Sequence, residues 1–232
     1  GSVTMDVQDV PAIVQAAHAH SVAVALDNTY AAGVMFDAFA HGVDISMQAL
    51  TKYVGGHSDL LLGSVSARDK QAYDKLGPIY QQLGLAVSPD DCSLALRGLQ
   101  TLAVRLEVLE RNTLEIANWL TDHPLVAQVL HPALPTCPGH AVWARDFNGS
   151  TSVFSFIFKE TITADRVVNF INQLQIFKIG MSWGGVNSLA VVYPDLQRPH
   201  HDYGGRIVRL NIGLEKVEDL TSDLAQAMAT LS

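Results

Sequence analysis

Residues 26–59 read LDNTYAAGVMFDAFAHGVDISMQALTKYVGGHSD. Lys52 stands there in surroundings otherwise suited to a protein interior. A strand-like VDIS precedes it, and a glycine pair and the run LLLG follow it. Lysine is seldom buried without a partner. An amine attacks a carbonyl only when deprotonated, and desolvation favours that neutral form. On position alone the commoner reading is plainer: an apolar stem at a sheet edge with its ammonium in water.

Asp27 is the second residue of interest. It closes the apolar run VAVAL, where an unpaired carboxylate is costly. α/β folds hold ligands at the C-terminal ends of parallel strands. Asp27 and Lys52 end two nearby strands, so both can face one crevice. A carboxylate for a protonated ring nitrogen and an amine for an aldehyde are what a pyridoxal phosphate site asks of a protein. Taken alone, Asp27 reads equally well as a cap or turn residue.

Working outward, DVPAIVQAAHAH predicts a helix with Asp9 as N-cap and Pro11 in the first turn. VAVALDN predicts a buried strand, AAGVMFDAFAHG a short helix stopped by Gly42, and VDISMQA and LLLGSVSA two further strands. That alternation is the rhythm of a parallel sheet with crossovers. RDKQAYDKLGPIYQQLG predicts a helix interrupted at Gly77–Pro78. Leu99, Leu102, Leu106, Leu109, Ile116 and Leu120 predict one long helix over residues 93–120, with Gly98 and Asn112 as its weak points.

After residue 120 the texture changes. The strands LVAQVL, SVFSFIF and IVRLNIGL alternate with the helices TADRVVNFINQL and VEDLTSDLAQAMATL. The reading is two domains, residues 1–120 and a smaller α/β domain at 121–232.

The chain has 232 residues, 48% hydrophobic and 16% charged, with a formal net charge of −8. That balance disfavours nucleic acid as a main partner, since phosphate binding needs a basic face. No run approaches the roughly 18 apolar residues of a membrane span. Cys92 and Cys137 are far apart and read as free thiols of a reducing compartment. RPHHDYGG offers His200, His201 and Asp202, but adjacent histidines on a loop seldom converge on one ion, so no metal site is expected. His57 reads as a hydrogen-bonded structural histidine. Neither a nucleophile elbow nor a P-loop or dinucleotide fingerprint is present.

The quoted stretch resembles the core motif of the Cys/Met-metabolism pyridoxal-phosphate enzymes, which carry a DNT segment and a segment like TKYVGGHSD around the lysine that bonds the cofactor. RGLQTLAVRLE, HPAL, SWGG and IVRLNIGLE-x-VEDL extend the resemblance over essentially the whole chain. Within that family, SWGGVNSLAVV and GHAVWARDFNGSTSVFSF resemble the cystathionine β-lyases, whereas γ-acting relatives usually read SLGG.

The resemblance implies the C-terminal part of an aspartate-aminotransferase-like, fold type I enzyme. It would comprise a mostly parallel sheet portion of the large domain and a small α/β domain with an antiparallel or mixed sheet. The cofactor would be pyridoxal 5'-phosphate. Lys52 would bond it and then move protons at the substrate Cα, Asp27 would pair with its ring nitrogen, and Thr51 would lend a hydroxyl to its phosphate. The other usual hydroxyl is replaced by Ala49.

Arg209 would grip the substrate carboxylate with a bidentate guanidinium. Ser182 and Trp183 would line the substrate side. Asn187 stands where relatives often carry glutamate.

The implied reaction is β-elimination of cystathionine to homocysteine, pyruvate and ammonia, in methionine biosynthesis, by a cytoplasmic homotetramer built as a dimer of dimers. The alternatives are a γ-lyase or broader cysteine-S-conjugate or desulfhydrase activity, and a non-catalytic structural or oligomerisation module. Family members carry a further segment before GSVTMDV, with a phosphate loop and a ring-stacking tyrosine. The expectation is therefore that these residues alone bind the cofactor weakly and turn over nothing.

Overall fold

The computed structural model of the chain describes residues 1–198 and 201–231. Two compact units emerge. One comprises Gln8–Ala103 with Ala144–Ser150, the other Gly1–Val7, Val104–Trp143 and the chain from Thr151 onward.

In the first unit, α1 (Val10–Ala19) starts as its sequence requires: the Asp9 side chain accepts from the amide of Ala12 at 3.1 Å, and proline sits in the first turn. Its buried Val10 and Val14 join Ala31, Phe36, Ala38 and Val43 in a small core. The sheet is β1 (Ala25–Asp27), β2 (Ile45–Ala49) and β3 (Gly63–Ala67), in that order. β1 and β2 run parallel, with Asp27 beside Met47.

Four local expectations need correction here. The run VAVALDN yields only a three-residue strand, largely exposed, because β1 has β2 as its sole paired neighbour among the described residues. AAGVMFDAFAHG forms successive turns, not a helix. Ala32 and Gly33 adopt φ of 52° and 71°, which no right-handed helix tolerates, and the Asn28 side chain donates to Phe36 O at 3.0 Å, pinning the coil. β3 runs antiparallel to β2, because no helix intervenes to carry the chain back across the sheet. Finally, α2 (Lys70–Gln82) continues through Pro78. A proline removes one ladder bond, and on this exposed helix water can satisfy the carbonyl left over.

The long helix is α3 (Pro89–Thr121), which contributes residues to both units. Gly98 is no weak point but a requirement. A Cβ there would lie 2.0 Å from Val54 O and 2.7 Å from Gly55 O, so the segment after Lys52 rests on the helix backbone itself.

The second unit holds a five-stranded sheet of β4 (Val126–Leu130), β5 (Val153–Phe158), β6 (Lys178–Ile179), β7 (Leu189–Val192) and β10 (Ile207–Asn211), ordered β4-β5-β10-β7-β6. All pairs are antiparallel except β6 with β7. β8 (Gln197–Arg198) and β9 (His201–Asp202) pair separately, and α4 spans His140–Asp146.

Helices α5 (Ala164–Gln173) and α6 (Val217–Ala229) carry their apolar stripes into the same core as the sheet. In α6 these are Leu220, Leu224, Ala227 and Met228, at helical spacing. Phe158 meets Phe156 and Phe170 edge-on at centroid distances of 5.0 and 5.2 Å. Buried Asp223 of α6 accepts from the amides of Gln175, Ile176 and Phe177 at 2.9, 2.8 and 3.1 Å, fixing the turn after α5. Central strand β10 is buried at all five positions, and Arg209 lies on it.

Candidate functional site

In the first unit, Asp27 ends β1, and its carboxylate is organised by Thr29. The Thr29 amide donates to Asp27 Oδ1 at 3.0 Å and its hydroxyl to the same oxygen at 2.5 Å. This is the turn an Asp favours two residues ahead of a donor. Asp27 Oδ2 takes no part in either bond. The Thr29 oxygen also accepts from the amide of Ala49, the last residue of β2, at 2.9 Å. Ala49 O in turn accepts from the amide of Lys52 at 3.0 Å. Three consecutive hydrogen bonds thus connect the Asp27 carboxylate to the backbone of Lys52.

Lys52 is half-buried, and the four residues after it, Tyr53 to Gly56, are buried. The turn that presents it is tied by Gly56 N to Lys52 O and Gly55 N to Leu50 O, both 2.7 Å. Thr51 clamps the same loop: its hydroxyl donates to Leu62 O at 3.2 Å and accepts from Leu62 N at 3.0 Å. His57 donates from Nδ1 to Gly55 O at 2.7 Å.

A pyridoxal phosphate fits these donors and acceptors. The ring nitrogen needs a fixed carboxylate, and Thr29 fixes one while leaving Oδ2 uncommitted. The aldehyde needs an amine, and the Lys52 backbone is anchored to the strand that neighbours Asp27. For Thr51 to serve the phosphate as well, its proton must leave the carbonyl of Leu62.

In the second unit, Arg209 is 5% exposed. It donates to the main-chain oxygens of Met181 and, at 3.3 Å, Ser2, and lies 5.5 Å from the centroid of the Tyr193 ring. Ser182 and Trp183 follow Met181, the first exposed and the second half-buried.

The loop they occupy is stitched to β10 and its continuation. Asn211 Oδ1 accepts from the amide of Gly184 at 2.9 Å and from Ser152 Oγ at 2.8 Å, while Nδ2 donates to Asn187 O at 3.0 Å. Leu214 N donates to Val186 O at 2.8 Å. Glu215 accepts from Ser188 N and Oγ, each at 2.8 Å. Gly213 N donates to Ser188 Oγ at 2.8 Å, and a Cβ at Gly213 would lie 2.3 Å from Val186 O.

Reasoning from sequence overlooks Thr29 and Asn211 and takes Gly98 only as a weak point of α3. Thr29 had a local signal, a hydroxyl two residues after an Asp. Gly98 and Asn211 had none, since their partners are remote in the chain.

A model of the family described as "Cys/Met metabolism PLP-dependent enzyme" matches residues 1–229. The chain belongs to this family. Its cofactor is pyridoxal phosphate, and its architecture is the aspartate-aminotransferase-like fold type I. The chain is 40% identical to the cystathionine beta-lyase of Escherichia coli over 243 residues, covering 100% of this chain and 60% of that protein. It is 33% identical to the cystathionine gamma-lyase of Dictyostelium discoideum, covering 97% of this chain and 59% of the relative. A crystal structure of cystathionine gamma synthase from Xanthomonas oryzae pv. oryzae superposes with a TM-score of 0.90 at 33% identity, over 100% of this chain and 62% of that one. The chain therefore spans about 60% of the length of the curated relatives it matches.

Cys92 and Cys137 are free thiols, the first exposed and the second buried. Among the described residues, no group of three or more His, Cys, Asp or Glu is placed to hold a metal ion, and no helix is long and apolar enough to cross a membrane. His200 lies outside the described residues.

Proposed function

We propose that this chain carries the lysine and the carboxylate-binding arginine of a pyridoxal-phosphate-dependent carbon–sulfur lyase that cleaves L-cystathionine by β-elimination. One observation carries the reading: Asp27 ends β1, Lys52 lies in the turn that leaves the neighbouring parallel strand β2, and the two are joined through Thr29 and Ala49.

When bound, the cofactor supplies an aldehyde for an amine and a ring that withdraws electrons from the substrate Cα. Asp27 would accept from the protonated ring nitrogen and hold that charge in place. Lys52 would hold the cofactor's aldehyde end through Nζ and, as a free amine, would take the proton from the substrate Cα. With that proton gone the Cβ–S bond breaks, and sulfur leaves with its electron pair as the thiol of homocysteine once protonated. Water converts the three-carbon remainder to pyruvate and ammonia. Arg209 pairs with the substrate carboxylate through a planar, two-pronged guanidinium. Ser182 and Trp183 contact the substrate, and Thr51 contributes to phosphate binding.

With this reading go methionine biosynthesis as the setting, the cytoplasm as the compartment and a homotetramer as the assembly. All three come with the resemblance to β-lyases and stand as part of this proposal. The test is the keto acid released from L-cystathionine by the natural holoenzyme that contains these residues. Pyruvate supports β-cleavage, 2-oxobutanoate makes the protein a γ-lyase, and neither product, with no visible absorbance band on adding cofactor, overturns the reading.

A further inference from the structure

We propose that Asn211 is a positioning residue for the substrate side, acting through the main chain of Gly184 and Asn187 on the turn that presents Ser182 and Trp183. The inference rests on the proposed function, in which that turn meets the substrate.

Asn211 sits on β10, two residues beyond Arg209 and so on the same face of the strand. Its backbone is paired on both sides, with Val153 of β5 and Leu189 of β7, and the residue is only 2% exposed. A rigid, buried platform of this kind transmits position rather than absorbing motion.

The side-chain amide is engaged at both ends. Its oxygen accepts from Gly184 N at 2.9 Å and from Ser152 Oγ at 2.8 Å, and its nitrogen donates to Asn187 O at 3.0 Å. The partners fix which end is which, since one group must accept and the other donate. An aspartate lacks the donor for Asn187, a serine is too short to bridge both, and an aliphatic residue supplies neither.

The contacts also fall where they matter. Gly184 directly follows Trp183 and adopts φ of 82°, the left-handed value that reverses the chain there. Holding the Gly184 amide therefore sets the direction in which the preceding indole leaves the backbone. Arg209 holds the other side of the same pair through Met181 O. Arg209 has a proposed partner in the substrate, whereas Asn211 touches only protein. Its effect should therefore appear in how well substrate is held, not in the bond-breaking step.

The experiment compares Asn211→Ala and Ser152→Ala with the parent holoenzyme, by steady-state kinetics on L-cystathionine and by amide hydrogen exchange at Gly184. Asn211→Ala is expected to speed Gly184 exchange about tenfold and raise KM about tenfold with kcat within about threefold, the scale of one lost hydrogen bond. Ser152→Ala removes the hydroxyl that steadies Asn211 Oδ1 while leaving the bonds to Gly184 and Asn187 in place, and should shift both readouts the same way by less. If Asn211→Ala fails to fold, Ser152→Ala decides alone.

Faster exchange with KM unchanged overturns the proposal, as does unchanged exchange, or a fall in kcat with KM constant. If the parent consumes no amino-acid thioether, the functional reading fails. Gly184 exchange then decides separately whether Asn211 holds the turn, and unchanged exchange overturns that too.

Discussion

Thr29 holds Asp27 by two bonds to one oxygen, from its hydroxyl at 2.5 Å and its amide at 3.0 Å, and accepts from the Ala49 amide in return. The carboxylate assigned to the cofactor ring is thus aimed by a neighbour rather than by its own strand. Thr29→Val keeps the shape, but leaves the Ala49 amide unpaired and Asp27 with one bond fewer. A hydrogen bond to a charged group contributes about 1.5–3 kcal/mol. Pyridoxal phosphate affinity, read by absorbance titration, should weaken about 10- to 100-fold, and Thr29→Ser should restore most of it.

Lys52→Ala should remove the visible absorbance of bound cofactor and lower pyruvate release from L-cystathionine by about a thousandfold or more, as loss of the amine proposed as both nucleophile and base demands. The half-buried stem makes its contribution locally, so the thermal midpoint should move by only a few degrees, about 2–4 °C for each kcal/mol in a chain of this size. Retained elimination would refute the role given to this lysine.

Gly98→Ala sets two effects of opposite sign against each other. Helix propensity favours alanine by about 1 kcal/mol. The added Cβ would sit 2.0 Å from Val54 O, a backbone atom that cannot rotate away. Overpacking of that kind costs about 1–3 kcal/mol and should win. Urea unfolding should show a net loss of stability, accompanied by weaker cofactor binding because the shifted segment adjoins Lys52. A net gain would show that the loop yields without cost.

His131 is 1% exposed, and burial lowers its pKa from 6.5 to about 4. Its Nδ1 accepts from the Ala133 amide at 3.2 Å, so the neutral ring carries its proton on Nε2. The folded pKa lies below the unfolded one. The stability this group contributes is therefore intact above pH 6.5 and is lost as pH falls through about 4. At about 1.36 kcal/mol per pKa unit the loss is of the order of 3 kcal/mol. His131→Phe should flatten the slope of unfolding free energy between those pH values, whatever it does to absolute stability.

Asp223→Ala would orphan the amides of Gln175, Ile176 and Phe177 at once. Unfilled buried donors cost about 1–3 kcal/mol each, and water entering the space offsets part of that. A loss near 3 kcal/mol in denaturant unfolding is expected.

Some of this molecule could be read directly from its residues. Repeated leucines marked α3, and the dense apolar runs at Val153–Phe158 and Ile207–Asn211 marked the buried strands β5 and β10. Lys52 stood out because a lone amine in apolar surroundings asks for a reason. The misread stretches share a cause. Residues 31–42 are short, apolar and punctuated by Gly33, so periodicity alone could not separate helix from turns. Pro78 reads as a breaker in sequence, because nothing local shows that the helix around it is exposed. Thr29, Gly98 and Asn211 gain their meaning from Ala49, Val54 and Gly184, which only the folded chain brings near.

The ladder of contacts between residues 181–188 and 209–215 has a bearing on redesign. Each rung joins a main-chain or side-chain group on one strip to a specific residue on the other, and Gly213 leaves no room for a bulkier graft. A substrate-selecting loop borrowed from a γ-acting relative should therefore be exchanged together with its β10 counterpart. Transplanted alone, it would arrive without the docking points that hold its shape.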